Sequence, residues 1–114
     1  MPGVYRVQHD LLDLADMRRN AADACAMIRN LAHEDRLLLL CRLSQGELCV
    51  GELEQELDIR QPSLSQQLGV LRREGLVATR RAGRRIYYRI ADPRALSLLE
   101  TLYTLYCDPE GDSR

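Results

Sequence analysis

The sequence contains no lysine, and all sixteen of its basic residues are arginine. It has no apolar run that could cross a bilayer, since the LLLLC segment at 37–41 is far too short, and its N-terminus carries no apolar signal core. We therefore expect a cytoplasmic protein with no membrane partner. It also has no CxxC motif, no histidine next to a cysteine and no cofactor loop, so we expect neither a thiol enzyme nor a bound cofactor.

The positive charge of the chain is concentrated in one segment. The 114 residues suit a single domain and carry a net charge of −1, which by itself does not indicate a nucleic-acid partner. Seven arginines nevertheless lie between Arg72 and Arg89, where Glu74 is the only acidic residue. Acidic residues predominate elsewhere, so the chain is polarised rather than neutral. Such a segment is either a solvated charged surface or a binding site for a polyanion.

The predicted element order is α-α-α-α-β-β-α, a mainly α fold with one β-hairpin. Apolar spacing predicts helices at 10–32, 33–43, 50–57 and 61–75, a hairpin at 76–90 that turns at Ala82-Gly83, and a last helix from Pro93 to Cys107. The turn between the third and fourth helices is short enough for a helix-turn-helix. We divide the chain into a flexible N-terminal arm (1–9), one domain (10–108) and a C-terminal tail (109–114).

The fourth predicted helix has the composition of a DNA-recognition helix. Leu64, Leu68 and Leu71 fall on one face, and the other side carries short hydroxyl and amide groups that can hydrogen-bond to base edges and phosphates. Arginines follow this helix and surround the hairpin tip, where they suit a phosphate backbone or an adjacent minor groove. Either feature alone is typical of an ordinary solvated surface, but side by side after a helix-turn-helix they favour DNA. The predicted DNA-binding residues are Gln61, Ser63, Ser65, Gln66, Gln67, Arg72, Arg81, Arg84 and Arg85.

Residues 50–90 resemble the winged helix-turn-helix of the ArsR/SmtB family of bacterial repressors. The LSQQLGVLRREGLV stretch and the RRAGRRIYYRI wing carry the resemblance, which extends over about residues 22–107. The resemblance implies transcription regulation by a homodimer whose terminal helices pair. A two-fold dimer would set two recognition helices about 34–36 Å apart, on successive major grooves of a palindromic operator.

The last predicted helix supports a dimer independently of the resemblance. Leu96, Leu99, Leu102, Tyr103 and Tyr106 are spread over a surface too broad for one small monomer to cover. The predicted dimer-interface residues are Leu14, Met17, Leu99, Leu102, Tyr103 and Tyr106.

The four cysteines could be core residues, metal ligands or redox-responsive groups, because cytoplasmic thiols are normally reduced. Soft-metal sensors of the founding type in the family carry paired cysteines where this chain reads LCVGEL. Cys49 matches the first of them, but Gly51 stands at the second position, so trigonal thiolate coordination lacks ligands. The zinc-sensing branch uses imidazoles on the last helix, whereas the only histidines here are His9 and His33. We therefore expect no metal site.

Cys41 and Cys107 are similar in position to the cysteines of the persulfide-sensing branch, of the BigR and SqrR type. The match lies in LLLLC and in TLYTLYC. By resemblance, the two thiols become joined through several sulfur atoms, and the repressor then releases its operator. A direct disulfide requires Cα atoms about 4.4–6.8 Å apart, so a wider spacing would select a polysulfur bridge over a peroxide-made disulfide.

The expected function is therefore a repressor that responds to reactive sulfur species through these two thiols. A response to arsenite or another thiophilic ion, bound by some of the same thiols, is the alternative. A DNA-binding architectural protein with inert cysteines is a further one, because a buried cysteine on a leucine-rich helix is usually a small apolar residue. Cys49 is expected to occupy a helix N-cap, and Cys25 to serve in packing.

Overall fold

The computed structural model describes residues 13–107 and shows eight helices and strands in this range. The predicted arm (1–9) and tail (109–114), together with 10–12 and 108, lie outside the described residues. The elements are α1 (Leu14–Leu31), α2 (Glu34–Leu43), β1 (Leu48–Cys49), α3 (Val50–Leu57), α4 (Ser63–Arg73), β2 (Val77–Ala82), β3 (Arg85–Ile90) and α5 (Pro93–Tyr106). The predicted order is confirmed, except that the two-residue strand β1 was not predicted.

A leucine core holds the helices together around α2. This helix packs against α1, α3, α4, α5 and β3, as its broad apolar surface predicts. The side chains buried most completely are Leu39, Leu40, Leu53, Leu64, Leu68, Leu71 and Leu99. Each fully buried leucine contributes about 1.5–3 kcal/mol of transfer free energy, so these residues dominate the favourable side of folding.

Local capping explains where several helices begin and end. The Asp13 carboxylate accepts a hydrogen bond from the Ala15 N–H at 2.9 Å, and the Asp92 carboxylate caps α5 in the same way. Helix α4 ends in a Schellman motif, in which the Leu76 N–H donates to the Leu71 carbonyl at 2.9 Å. Gly75 permits this because its φ is +79°, a conformation that costs glycine little.

The three strands form an antiparallel sheet in the order β1-β3-β2, and β2 with β3 makes the wing. The wing register runs from Val77 opposite Ile90 to Ala82 opposite Arg85. The turn is therefore Gly83-Arg84 and not the predicted Ala82-Gly83, because Gly83 has a φ of +64° and a two-residue hairpin turn needs positive φ. No helix between residues 13 and 107 has the length and apolar character to cross a membrane.

Candidate DNA-binding surface and thiol pair

Helix α4 presents a polar face to solvent because its leucines are buried behind that face. Leu64, Leu68 and Leu71 have exposures of 0 %, 1 % and 0 %, which confirms their predicted inward orientation. Ser65 and Gln66 are exposed on the other side of the helix. Arg72 and Arg73, in the last turn of the helix, are exposed as well, and the first turn of the helix contains no acidic residue. The face is therefore rich in donors and acceptors and has positive charge at one end.

Two of the predicted DNA-binding glutamines make hydrogen bonds inside the protein. The side-chain oxygen of Gln67 accepts from Nη1 of Arg36 at 3.0 Å. The side-chain oxygen of Gln61 accepts from the Ser65 N–H at 3.1 Å, which satisfies one of the unpaired donors at the start of α4. Ser63 is half-buried. The amide NH₂ groups of the two glutamines thus stay available as hydrogen-bond donors to DNA. The sequence contained no signal for the contact between Arg36 and Gln67, which lie 31 positions apart.

The wing tip carries exposed arginines beside the start of α3. Arg81 bends toward the turn, where its Nε donates to the Gly83 carbonyl at 3.2 Å, while Arg84 and Arg85 are exposed. Arg84 and Arg85 also line an open cavity of about 530 Å³, together with Cys49 and residues from the first turns of α3. A hydrogen bond with the Tyr87 side chain raises the pKa of Arg85, and its interactions with nearby acidic groups act in the same direction.

The side chain of Arg80 makes its contacts within the protein. Its Nε donates to Glu47 at 2.7 Å, and its guanidinium lies 4.7 Å from the centroid of the Tyr87 ring. The contact with Glu47 joins the wing to the loop before β1. Tyr87 lies on β3, the strand of the wing that pairs with β1 at Cys49. Within residues 13–107, no carboxylate forms an ion pair with Arg81, Arg84 or Arg85, in contrast to Arg80.

The fold brings Cys41 and Cys107 to one cavity. Both residues line a depression of about 450 Å³ between α2 and the end of α5, together with apolar side chains that include Leu99 and Tyr103. Burial raises the pKa of the Cys41 thiol, and the neighbouring Cys107 raises it further. Cys41 is half-buried, Cys107 is exposed, and both are free thiols. Two residues 66 positions apart in the sequence therefore share one site.

The other two cysteines lie elsewhere. Cys49 is the N-cap of α3, as expected; its N–H donates to the Glu52 carboxylate at 3.0 Å, and this bond is the main reason that the pKa of Glu52 is lowered. Cys25 was expected to serve in packing, but it is exposed on this chain. In the part of the chain from 13 to 107, no group of three or more His, Cys, Asp or Glu side chains is arranged to hold a metal ion.

Comparison with known proteins gives the family. The model for the bacterial regulatory proteins of the arsR family matches residues 33–79. A biofilm growth-associated repressor of Agrobacterium fabrum is 52% identical over 99 residues, which make up 87% of this chain and 85% of that protein. The chain belongs to the arsR family. The crystal structure of the transcriptional repressor BigR from Xylella fastidiosa matches with a TM-score of 0.78 at 46% identity, covering 84% of this chain and 98% of that one.

This arsR-family chain is a DNA-binding transcriptional repressor of the BigR type. Its relatives are transcriptional regulators and not enzymes, which confirms the prediction that it is not an enzyme. Relatives need not repress in every case: the transcriptional activator HlyU of Vibrio cholerae is 40% identical over 84% of this chain and 89% of that protein. The winged helix-turn-helix fold expected from the resemblance is confirmed as well.

An apolar surface on α1 and α5 of this repressor is left uncovered. Among the predicted interface residues, Leu14, Met17, Tyr103 and Tyr106 are exposed, and Leu102 is half-buried. The prediction for Leu99 needs correction, since its exposure is only 2 % and it packs in the core of this chain. The sequence reasoning also missed several members of this surface, whose place on the helices only the packing reveals: Ile28, Leu98 and Leu105.

Proposed function

We propose that this protein is a homodimeric repressor that binds palindromic operator DNA and is released when reactive sulfur species bridge Cys41 and Cys107. The observation that carries the sulfur response is the single cavity that both thiols line. The contribution of Cys107 to the raised pKa of Cys41 supports it, because such an electrostatic interaction requires proximity. The similarity to repressors of the BigR type supports the repressor part of the proposal.

The uncovered face of α1 and α5 supports the dimer. Exposures of 60 % for Leu105, 57 % for Ile28 and 79 % for Tyr106 are large for apolar residues on neighbouring helices. An apolar cavity of about 340 Å³ lies between the same two helices, lined in part by Ile28 and Leu98. Exposed apolar surface of this kind marks an interface, and a second copy of the chain would cover it. The pairing sets two copies of α4 against one duplex.

The sulfur chemistry proceeds by two displacements. One thiolate of the pair attacks an inner sulfur of an inorganic polysulfide; a new S–S bond forms, and a shorter polysulfide leaves. The second thiolate attacks the sulfur chain now attached to the protein, and the terminal sulfur leaves as hydrosulfide after taking a proton. The two thiols together lose two electrons, and sulfane sulfur is reduced to sulfide. The product joins α2 to the end of α5 through a chain of sulfurs.

The bridge weakens DNA binding by changing how α5 packs against α2. Helix α2 contacts α4 directly, so a displacement at Cys41 reaches the recognition helix through packed side chains. A difference in free energy of about 1–3 kcal/mol between the two states is enough to change operator affinity 5- to 150-fold.

The test treats the reduced protein separately with inorganic polysulfide, hydrogen peroxide and arsenite, and records intact mass and DNA affinity. Polysulfide should add the mass of one or more sulfur atoms to an internally crosslinked chain and weaken binding. The Cys41→Ser and Cys107→Ser variants should keep their affinity under the same treatment, and Cys25→Ser, an exposed cysteine outside the cavity, is the matched control that should respond like the wild type.

Two results would contradict the sulfur response. If peroxide alone closed a Cys41–Cys107 disulfide as readily as polysulfide links them, selectivity for reactive sulfur would be lost. If arsenite released the DNA while polysulfide did not, the inducer would be the thiophilic ion instead.

A further inference from the structure

Arg36 connects three parts of the structure through its guanidinium group. From the first turn of α2, its Nε donates to the Asn30 carbonyl at 3.1 Å, and its Nη2 lies 3.5 Å from the Arg29 carbonyl, both at the end of α1. Its Nη1 donates to the side-chain oxygen of Gln67 in α4 at 3.0 Å. The first and third of these bonds are partly buried, where hydrogen bonds to a charged group are strong.

The chemistry of this contact sets the orientation of the Gln67 amide. A guanidinium has five N–H donors and no acceptor, so only the oxygen of the amide can face Arg36. The NH₂ group of Gln67 then points away from Arg36. Gln67 is half-buried on the flank of α4, next to the exposed face that carries Gln66.

We propose that Arg36 is a positioning residue that presents Gln67 to DNA as a hydrogen-bond donor. Gln67 then selects an acceptor atom on the duplex, either on a base edge, such as guanine O6 or N7, or on a phosphate. The two-bond recognition of adenine by glutamine also needs the amide oxygen to face the base, and Arg36 holds that oxygen inside the protein. This inference rests on α4 facing DNA, and it is independent of the sulfur response.

The experiment selects preferred sequences from a random duplex library for the wild type and four variants: Gln67→Ala, Gln67→Glu, Arg36→Lys and the double variant Arg36→Lys/Gln67→Ala. Gln67→Ala should weaken discrimination about 10- to 100-fold at one base pair in each half-site if the acceptor is on a base. If the acceptor is a phosphate, affinity should fall equally for all sequences and the salt dependence should stay unchanged, because Gln67 carries no charge. Both results support a donor role, and they identify its target.

The variants of Arg36 test whether it acts through Gln67. Arg36→Lys cannot make the same set of three bonds and should relax the same base position as Gln67→Ala. The double variant should be no worse than Gln67→Ala alone. Equal and additive losses from the two single variants would overturn the positioning role, because they would show that Arg36 acts by another route.

Gln67→Glu keeps the inference testable if the Arg36 variants do not fold. A carboxylate at this position can still accept from Arg36, so thermal stability should be kept, but it has no donor for DNA. It should therefore lose at least as much discrimination as Gln67→Ala. A Gln67→Glu protein with wild-type sequence preference would overturn the proposal. Loss of the polysulfide response in any variant would bear only on the proposed function.

Discussion

Removing two arginines from the wing tip should make DNA binding much less dependent on salt. Arg81 and Arg84 are exposed and have no carboxylate partner within residues 13–107, so their charge is available to phosphates. Each phosphate contact contributes about 0.9 to the slope of log K against log salt. In the proposed dimer, two arginines in each of two subunits would make four contacts, so the slope for the Arg81→Ala/Arg84→Ala variant should be smaller in magnitude by about 3.6.

The size of the effect follows from this slope. Between about 50 and 200 mM salt, wild-type affinity should fall roughly 100-fold more than that of the double variant. Fluorescence anisotropy with a labelled duplex at several salt concentrations measures both slopes.

Arg80→Ala is the matched control for this experiment. The Arg80 guanidinium is already paired with Glu47 and lies over the Tyr87 ring, so its removal should cost at most about 1 kcal/mol of stability and leave the salt slope unchanged. A double variant with the wild-type slope, or an Arg80→Ala variant with the larger loss, would refute the assignment of the wing tip to phosphate.

Three further predictions concern stability, reactivity and assembly. Leu68→Ala should lower the free energy of unfolding by about 2–5 kcal/mol in urea denaturation, whereas Ser65→Ala, at an exposed position of the same helix, should change it little. Cys107→Ser should speed alkylation of Cys41 near pH 8, because losing the neighbouring thiol lowers the raised pKa of Cys41 and increases its thiolate fraction; an unchanged pH–rate profile would contradict this. Leu105→Glu should convert a dimer into folded monomers in sedimentation experiments, and a variant that still sediments as a dimer would place the interface elsewhere.

Much of the fold follows from local patterns. The inward face of α4 could be predicted because Leu64, Leu68 and Leu71 recur at the helical period, and burial of such a stripe has no alternative in a small domain. Pro93 and Asp92 mark the start of α5 for equally local reasons. The turn of the wing was misplaced by one residue, since the alternation of residues along two strands does not show which pair closes the hairpin.

The candidate site was predictable only in part. Residue type identified Ser65, Gln66 and the arginines of the wing as candidates, but it did not show which candidates already form hydrogen bonds or ion pairs within the protein. Arg36 binds Gln67, 31 positions away, and Arg80 binds Glu47, 33 positions away. The periodicity of a sequence does not predict such long-range contacts. Strand β1 was missed for the same reason, because two residues form a strand only when β3 is beside them.

The sequence by itself determined the helices, the wing and the concentration of arginine next to a helix-turn-helix, because hydrophobic period and side-chain chemistry are local properties. Tertiary structure alone decided that Cys41 and Cys107 share a cavity, that Leu99 is inside while Leu105 is outside, and that one amide of α4 is turned by an arginine of α2. These outcomes depend on how whole helices pack, and packing sums many weak contacts between residues that are distant in the chain.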